Sequence, residues 1–246
     1  MNIYHITYGP TTKIVQLHFW GCNLACRACL LKREIYDCHL KETKERLFRP
    51  QEQANRKPEK FLDLDGVLRL LDRLDISQAI FMGAEPALDP QMPSLAGELH
   101  RRFHCHNILL TNGFHVPDLG HLDEVVFSIK AIDDTRHRDY TGTSNRKALE
   151  NFRGLYRKGI KLRTESVFIP EYIDAMDIEA VAKFIGRADR NIPYRIDAYI
   201  PTGDNPWRRP DPLEIKNAAA LAGSYLDNVS YLTGREDLKY EVVRIF

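Results

Sequence analysis

Three cysteines stand close together near the beginning of this sequence. Cys22, Cys26 and Cys29 have the spacing C-x3-C-x2-C and directly follow an apolar run of β-forming residues. A structural zinc site takes four ligands, and a ferredoxin-type iron–sulfur cluster takes four cysteines. Three cysteines can instead hold a four-iron cluster by three corners. The fourth iron then stays open to a substrate or a cofactor, so this loop indicates more than electron transfer.

An alternative interpretation of the same loop is a zinc-stabilised binding module, in which His18, His39 or Cys38 supplies the fourth ligand. The compact cysteine spacing directly after a first strand disfavours this alternative. Cys38 and Cys105 are too few to hold a second cluster of the usual kind, so we expect one cluster only. The roles of these two cysteines stay open.

The composition is that of an ordinary soluble globular protein. The chain has 246 residues, of which 43% are hydrophobic and 28% charged, and its formal net charge is +1. This charge balance favours neither nucleic acid nor a membrane surface as a partner. No apolar stretch approaches the roughly 20 residues that span a bilayer, and the first residues do not resemble a signal peptide. Five cysteines, three of them clustered, predict a reducing, cytoplasmic location.

Apolar periodicity predicts strands that alternate with helices along most of the chain. Strands are predicted at 14–20, 79–82, 107–111, 124–130, 161–169 and 194–200, with a short one at 240–246. Helices are predicted at 64–74, 93–103, 144–155, 174–188 and 212–226. Six alternations predict an α/β fold with a parallel sheet, namely a partial (β/α)6 TIM-like half-barrel. We expect one domain over 1–246, with a charged insertion at 32–60 and a C-terminal extension at 227–246.

Residues that could do chemistry stand where several of the predicted strands end. These are the cysteine loop, the segment Gly83-Ala-Glu-Pro, the segment Thr111-Asn-Gly and Lys130. Parallel strands bring their carboxyl ends to one edge of the sheet, and ligands of such sheets bind beyond that edge. The four segments are therefore expected to meet at one site.

The cysteine loop after the first strand resembles the signature of the radical S-adenosylmethionine (SAM) superfamily, and the resemblance extends over most of the chain. It implies a [4Fe-4S] cluster on Cys22, Cys26 and Cys29, whose open iron chelates the amino and carboxylate groups of SAM. It implies an enzyme that cleaves SAM reductively to a 5′-deoxyadenosyl radical, which takes a hydrogen atom from the substrate. A ferredoxin or flavodoxin would donate the electron, docking on the basic stretch 32–60 unless that stretch is simply a solvated face.

Further segments resemble the pyruvate formate-lyase activating enzyme group. Gly83-Ala-Glu-Pro is similar to the superfamily's Gly-Gly-Glu-Pro motif, and Thr111-Asn-Gly is similar to a Thr-Asn-Gly segment of the group. The strand that ends at Lys130 is similar to a Leu-Asp-Leu-Lys strand. The resemblance implies that Glu85 accepts a hydrogen bond from the SAM ammonium group and that Lys130 pairs with the SAM carboxylate. The candidate cofactor-binding residues are Gly83, Ala84, Glu85, Thr111, Asn112, Ser128, Lys130 and Glu165.

The sequence departs from this group at several positions. Leu110 and Ser128 stand where the group has aspartates that help to hold a monovalent cation, so we expect that cation site to be absent. Glu165 stands where the group has an arginine. Two substrate classes stay open. One is a glycine in a partner protein, as for the activating enzymes. The other is a small polar metabolite in cofactor or modified-nucleoside biosynthesis, as for the 7-carboxy-7-deazaguanine synthases.

Alternation along the strands places further polar residues on one face of the predicted half-barrel, opposite the apolar face that packs against helices. The candidate substrate residues are His18, Arg163, Arg195, Asp197 and Tyr199. This face could line a cavity for a polar or charged substrate. It could equally form an ion-pair network that satisfies itself inside the barrel. His18 by itself is as compatible with a satisfied core histidine as with a substrate contact.

Overall fold

A computed structural model describes residues 1–32, 37, 40–41, 57–237 and 239–246. Most of the predicted insertion at 32–60 therefore lies outside the described residues, as do Cys38 and His39. The strands are β1 (Ile3–Gly9), β2 (Ile14–Phe19), β3 (Gln78–Gly83), β4 (His106–Thr111), β5 (Glu124–Ser128), β6 (Leu162–Phe168), β7 (Tyr194–Ala198), β8 (Val229–Leu232) and β9 (Val243–Arg244). The α-helices are α1 (Leu64–Leu71), α2 (Met92–Phe103), α3 (Asp134–Thr141), α4 (Arg146–Arg157), α5 (Ala175–Gly186) and α6 (Pro212–Ala222).

The described strands form one sheet in the order β8-β7-β6-β5-β4-β3-β2-β1-β9. From β2 to β8 every neighbouring pair is parallel, and helices connect most of these strands in sequence. At the other edge β1 pairs antiparallel with both β2 and β9. The predicted α/β class with a partial, TIM-like parallel half-barrel is therefore confirmed.

Two strands, β1 and β8, were not predicted from the sequence, and the reasons are opposite. Every residue of β1 is buried, including Tyr4, His5 and Thr7, so the strand lacks the exposed polar face that makes alternation recognisable. The residues of β8 are half-buried or exposed, and this strand is held by backbone pairing with β7. Since β8 falls within the predicted C-terminal extension at 227–246, that segment adds a seventh parallel strand to the predicted six. The tail strand pairs over only two residues.

The two faces of β2 show how the sheet positions the site. Val15, Leu17 and Phe19 are fully buried and belong to the core shared with the helices. Gln16 and His18 alternate with them and are buried on the opposite, interior face of the half-barrel. Polar groups buried there must find polar partners, because an unsatisfied polar group costs free energy away from water.

Three phenylalanine rings tie the sheet to two helices on its outer face. Phe152 on α4 lies between Phe127 on β5 and Phe184 on α5, with ring-centroid distances of 5.4 and 5.2 Å. The contact with Phe127 is edge-to-face and the contact with Phe184 is tilted, and ring contacts of this kind add to the stabilisation from burying large apolar side chains. No helix in the described part of the chain has the length and apolar character that crossing a membrane requires.

The Phe152→Ala substitution tests the contribution of this ring cluster. Because it removes a fully buried ring, we expect the free energy of unfolding to fall by about 3–5 kcal/mol. Tyr156→Ala on the same helix is the matched control, since its side chain is 37% exposed and should cost about 1 kcal/mol or less. Denaturant unfolding under anaerobic conditions measures both values. Equal losses for the two variants would contradict this account of the core.

Candidate active site

The cysteine loop is fixed from two sides. The amide of Ala25 donates to the carbonyl of Thr141, and the amide of Arg27 donates to the carbonyl of Tyr140, each at 2.9 Å. These acceptors are carbonyls at the C-terminal end of α3. From the other side, Asn205 Nδ2 donates to the carbonyl of Arg27 at 2.9 Å. The backbone around Cys26 is therefore held before any metal binds.

The three thiols of this loop suit a cluster better than a single metal ion. Cys22 is exposed, Cys26 and Cys29 are half-buried, and all three are free of disulfides. In the described part of the chain these sulfurs do not form a group whose ligand atoms all lie within 4.8 Å of one another. One tetrahedral zinc ion would hold its sulfurs about 3.8 Å apart, given Zn–S bonds of about 2.3 Å. The wider spacing fits thiolates that bind different irons of one cluster.

Lys130 supplies positive charge to the cysteine loop. Burial lowers the pKa of its ammonium group, but the negative charges of Cys26 and Glu165 outweigh that effect and the pKa is raised. Conversely, burial raises the pKa of the Cys26 thiol, and Lys130 opposes that rise. Lys130 therefore stays protonated beside the loop, where it could also attract an anionic group of a cofactor.

The ends of β2 and β3 approach each other closely, and the end of β3 has room only for a glycine, Gly83. Gly83 has φ +107°, and a Cβ added there would stand 2.6 Å from the carbonyl oxygen of Phe19. The amide of Ala84 donates to that same carbonyl at 2.9 Å, and the amide of Glu85 donates to the carbonyl of Gly21 at 3.0 Å. The Gly83-Ala-Glu-Pro segment thus lies directly against the start of the cysteine loop.

Glu85 joins the ends of β3 and β4 through its carboxylate. The Thr111 hydroxyl donates to Oε1 and the Asn112 amide donates to Oε2, each at 2.7 Å, while the Ala87 amide donates to Oε1 at 3.3 Å. The side chain is 1% exposed. Burial raises the pKa of the carboxyl, and these donors oppose the rise. The predicted contact of Glu85 with the SAM ammonium stays a prediction, since both carboxylate oxygens already accept bonds from the protein.

Asn112 reaches from β4 to the cysteine loop. Its Nδ2 lies 2.8 Å from Asn23 Oδ1 and 3.6 Å from Cys22 Sγ, and its Oδ1 accepts from the amide of Phe114. A donor beside a thiolate stabilises the charged form and tunes a cluster bound there. Asn23 did not stand out in the sequence, because a single asparagine in a loop carries no distinguishing signal.

Four of the predicted polar residues form one network on the interior face. Ser128 Oγ donates to Glu165 Oε1 at 2.5 Å, and Arg195 donates to Glu165 Oε2 at 2.8 Å. Arg195 also donates to Asp197 Oδ1 at 2.7 Å. Burial raises the pKa of Asp197, and Arg195 opposes the rise. The Arg195 side chain stays 42% exposed, so this ion-pair network is reachable from the interior.

The other predicted substrate residues lie apart from this network. Arg163 is on the same strand face as Glu165, but it forms an ion pair with Glu124 at the amino end of the barrel. Tyr199 follows β7, is 1% exposed, and its hydroxyl accepts from the amide of Thr202 at 3.0 Å. His18 lies at the β1 edge beside Asp37. The structure therefore does not bring Arg163, Tyr199 and His18 together with Arg195 and Asp197.

A flat stack beside the cysteine loop was not predicted as a unit. The rings of Tyr172 and Trp207 stack at a centroid distance of 4.1 Å, and the Arg27 guanidinium lies 4.6 Å from the Trp207 ring. Asp139 binds both Arg27, at 2.9 Å, and the Tyr172 hydroxyl, at 2.5 Å. Because Arg27 stands between two of the cysteines, this stack links the loop to the segment after β7.

Comparisons with known proteins agree with this geometry. A model described as the Radical SAM superfamily matches residues 17–185. A putative glycyl-radical enzyme activating enzyme of Methanocaldococcus jannaschii is 29% identical over 238 residues, which cover 94% of this chain and 84% of that relative.

Two solved structures share the fold. A domain of pyruvate-formate lyase-activating enzyme from Bacteroides vulgatus has a TM-score of 0.53 at 17% identity, covering 63% of this chain and 99% of that one. Streptococcus suis SuiB bound to S-adenosylmethionine has a TM-score of 0.62 at 14% identity, covering 86% of this chain and 47% of that one. At these identities the likeness concerns the fold alone.

The Thr111→Val substitution tests the junction at Glu85. It keeps the shape of the side chain but removes the donor to a buried carboxylate, so we expect a loss of about 1–3 kcal/mol in the free energy of unfolding. Thr135→Val, at an exposed position of α3, is the matched control and should change the stability by less than about 0.5 kcal/mol. Urea unfolding measures both. A Thr111 variant as stable as the parent would contradict the role of this hydrogen bond.

Proposed function

Because this chain belongs to the radical SAM superfamily, we propose that it takes a hydrogen atom from a glycine residue of a partner protein. The chain is an enzyme of the radical SAM type, and its cofactors are a [4Fe-4S] cluster and SAM. When bound, they supply a 5′-deoxyadenosyl radical through one-electron cleavage of a sulfonium–carbon bond. The glycine Cα–H bond would break, a C–H bond of 5′-deoxyadenosine would form, and the unpaired electron would remain on the glycine.

The observation that carries this proposal is the alignment with the putative glycyl-radical enzyme activating enzyme, which runs along 94% of this chain. A further support is the partly exposed network of Arg195, Glu165 and Asp197 on the interior face. Such a network could bind the polar backbone of a peptide segment that enters the half-barrel.

We assign the candidate residues to two cofactors, the cluster and SAM. Cys22, Cys26 and Cys29 would hold the cluster, since they are free thiols on one loop whose backbone is fixed. Lys130 would pair with the SAM carboxylate, supported by its raised pKa and its place beside Cys26. We assign the remaining candidates to the same site because they stand at or near the ends of neighbouring strands: Gly83, Ala84 and Glu85 at the end of β3, Thr111 and Asn112 at the end of β4, and Ser128 and Glu165 on β5 and β6.

A small polar metabolite is the second candidate substrate, and one observation favours it. Asp37 belongs to the charged segment 32–60, yet it is 2% exposed and binds Thr7 on the interior face. Asp37 therefore covers the interior face of the half-barrel beside β1. A covered interior suits a small substrate, whereas an open groove suits a protein segment.

The electron donor and the location of the protein stay predictions. We expect a low-potential ferredoxin or flavodoxin as donor, and a cytoplasmic protein with neither nucleic acid nor membrane as partner. The basic stretch proposed to receive the donor lies mostly outside the described residues.

Lys130→Met tests the proposed contact with SAM. Loss of a charge-assisted contact of about 1.5–3 kcal/mol should weaken SAM binding by roughly 10- to 100-fold. Equilibrium dialysis of the reconstituted protein measures the affinity, while the iron content should stay unchanged. Lys158→Met, at an exposed position after α4, is the matched control and should bind SAM like the parent. Unchanged affinity in the Lys130 variant would remove this lysine from the SAM site.

Transfer of deuterium tests the proposed substrate. The reconstituted and reduced enzyme is incubated with SAM and with extract of its native host grown on α-deuterated glycine. We expect the protein fraction of that extract to stimulate formation of 5′-deoxyadenosine that carries deuterium, as mass spectrometry would detect. Deuterium should be absent with unlabelled extract, and the product itself should be absent with Cys26→Ser, which removes a cluster ligand.

The same experiment separates the two substrate classes. If only the small-molecule filtrate stimulates product formation, without deuterium transfer from protein-bound glycine, the metabolite is the substrate and the glycine proposal fails.

A further inference from the structure

A second group of metal-ligating side chains lies on the interior face, apart from the cysteine loop. In the pairing of β1 with β2, His5 stands opposite His18, and an irregularity in the register between Ile3 and His5 adjusts the direction of β1 at this point. The two imidazole rings lie 4.9 Å apart. Asp37 reaches the same place from the segment that follows the cysteine loop.

The distances within this group are those of ligands around one ion. His18 Nε2 lies 3.2 Å from Asp37 Oδ2, and His5 Nε2 lies 3.5 Å from the same oxygen. One ligand atom from each of the three residues lies within 4.8 Å of the others. A tetrahedral ion with bonds of about 2.0–2.1 Å separates its nitrogen and oxygen ligands by about 3.3–3.4 Å.

Burial makes an empty arrangement costly. His5 and His18 are each 3% exposed, and Asp37 is 2% exposed. His5 Nε2 is buried and has no hydrogen-bond partner in the described part of the chain, although it points toward the carboxylate. A buried nitrogen without a partner and a buried carboxylate both gain from a cation placed between them.

A second layer of polar groups supports the carboxylate. Thr7 Oγ1 lies 2.8 Å from Asp37 Oδ2 and 2.8 Å from Gln16 Oε1. Thr7 and Gln16 are opposite one another in the same β1–β2 ladder as the two histidines. Thr7 binds the same carboxylate oxygen that lies nearest both imidazoles, and this hydrogen bond orients the carboxylate toward them.

We propose that His5, His18 and Asp37 bind a divalent transition-metal ion of the zinc class on the interior face of the half-barrel. Two imidazoles and one carboxylate suit zinc better than magnesium or calcium, which prefer oxygen ligands. Three protein ligands leave one position of a tetrahedral ion for water or for an oxygen or nitrogen atom of a substrate.

Metal analysis and X-ray absorption spectroscopy at the zinc edge test this site directly in the holoenzyme. The enzyme is reconstituted with iron and sulfide, equilibrated with Zn²⁺ and freed of unbound metal. We expect about one zinc per chain in addition to the cluster iron. Its X-ray absorption fine structure should show a nitrogen and oxygen shell at about 2.0–2.1 Å with imidazole scattering. Zinc that had entered an incomplete cysteine site would instead show sulfur at about 2.3 Å.

Single substitutions locate the ion. His5→Gln and His18→Gln should each lose the zinc while keeping the iron content and the circular dichroism of the parent. His106→Gln is the matched control, because this histidine is 39% exposed at the start of β4 and should keep the zinc. If the interior variants do not fold, the spectrum of the parent enzyme still decides between nitrogen–oxygen and sulfur ligands.

Three results would overturn the proposal: no zinc above background in the parent holoenzyme, a sulfur shell around the zinc, or full zinc content in a folded His5→Gln protein. Any of these would make the three residues a hydrogen-bonded cluster without an ion. None of these outcomes bears on SAM cleavage or on the glycine substrate, because those are measured by 5′-deoxyadenosine and its deuterium.

Discussion

The buried carboxylate of Glu85 is the contact on which the geometry of the site depends. It stands where β3 ends and binds the hydroxyl and the amide at the end of β4, while its own amide binds the start of the cysteine loop. A carboxylate that is 1% exposed is costly unless several donors surround it, and here three donors do so. Two strand ends and the loop are therefore fixed relative to one another before a cofactor binds, which reduces the cost of binding it.

Polar groups on the interior face of the half-barrel have two kinds of surroundings. Toward β6 and β7, Arg195 lies between Glu165 and Asp197 and keeps contact with solvent. Toward β1 and β2 the face is closed, and there Asp37 meets two histidines that solvent hardly reaches. A partly solvated ion pair needs no further partner, whereas a closed cluster of two imidazoles and a carboxylate is best completed by a cation. The half-barrel thus has an accessible side and a closed side with different chemistry.

Two departures from the pyruvate formate-lyase activating enzyme group are neighbours in this fold. Ser128 stands where that group has an aspartate, and Glu165 stands where it has an arginine. The two residues are in register on β5 and β6, and the serine hydroxyl donates to the glutamate at 2.5 Å. An aspartate at 128 would place a second carboxylate against Glu165, so a serine is compatible where an aspartate is not. Arg195, one strand further, supplies the positive charge that Glu165 needs. The changes therefore compensate each other and leave the cysteine loop untouched.

The sequence by itself predicted most of the helices and strands and the cysteine loop suited to an iron–sulfur cluster. Cysteine spacing depends on local chain geometry, and apolar periodicity reports which face of each strand or helix is buried, so both can be recognised without a structure. The predicted helices and most strands are found within a few residues, although Asn145 rather than Ser144 precedes α4. Only the tertiary structure decided that Arg163 lies at the opposite end of the barrel from Lys130, and that Tyr199 is used to hold Thr202. Only the fold brought Asp37 to His5 and His18. Contacts between residues distant in the chain depend on strand order and on the path of a loop, and neither leaves a periodic signal in the sequence.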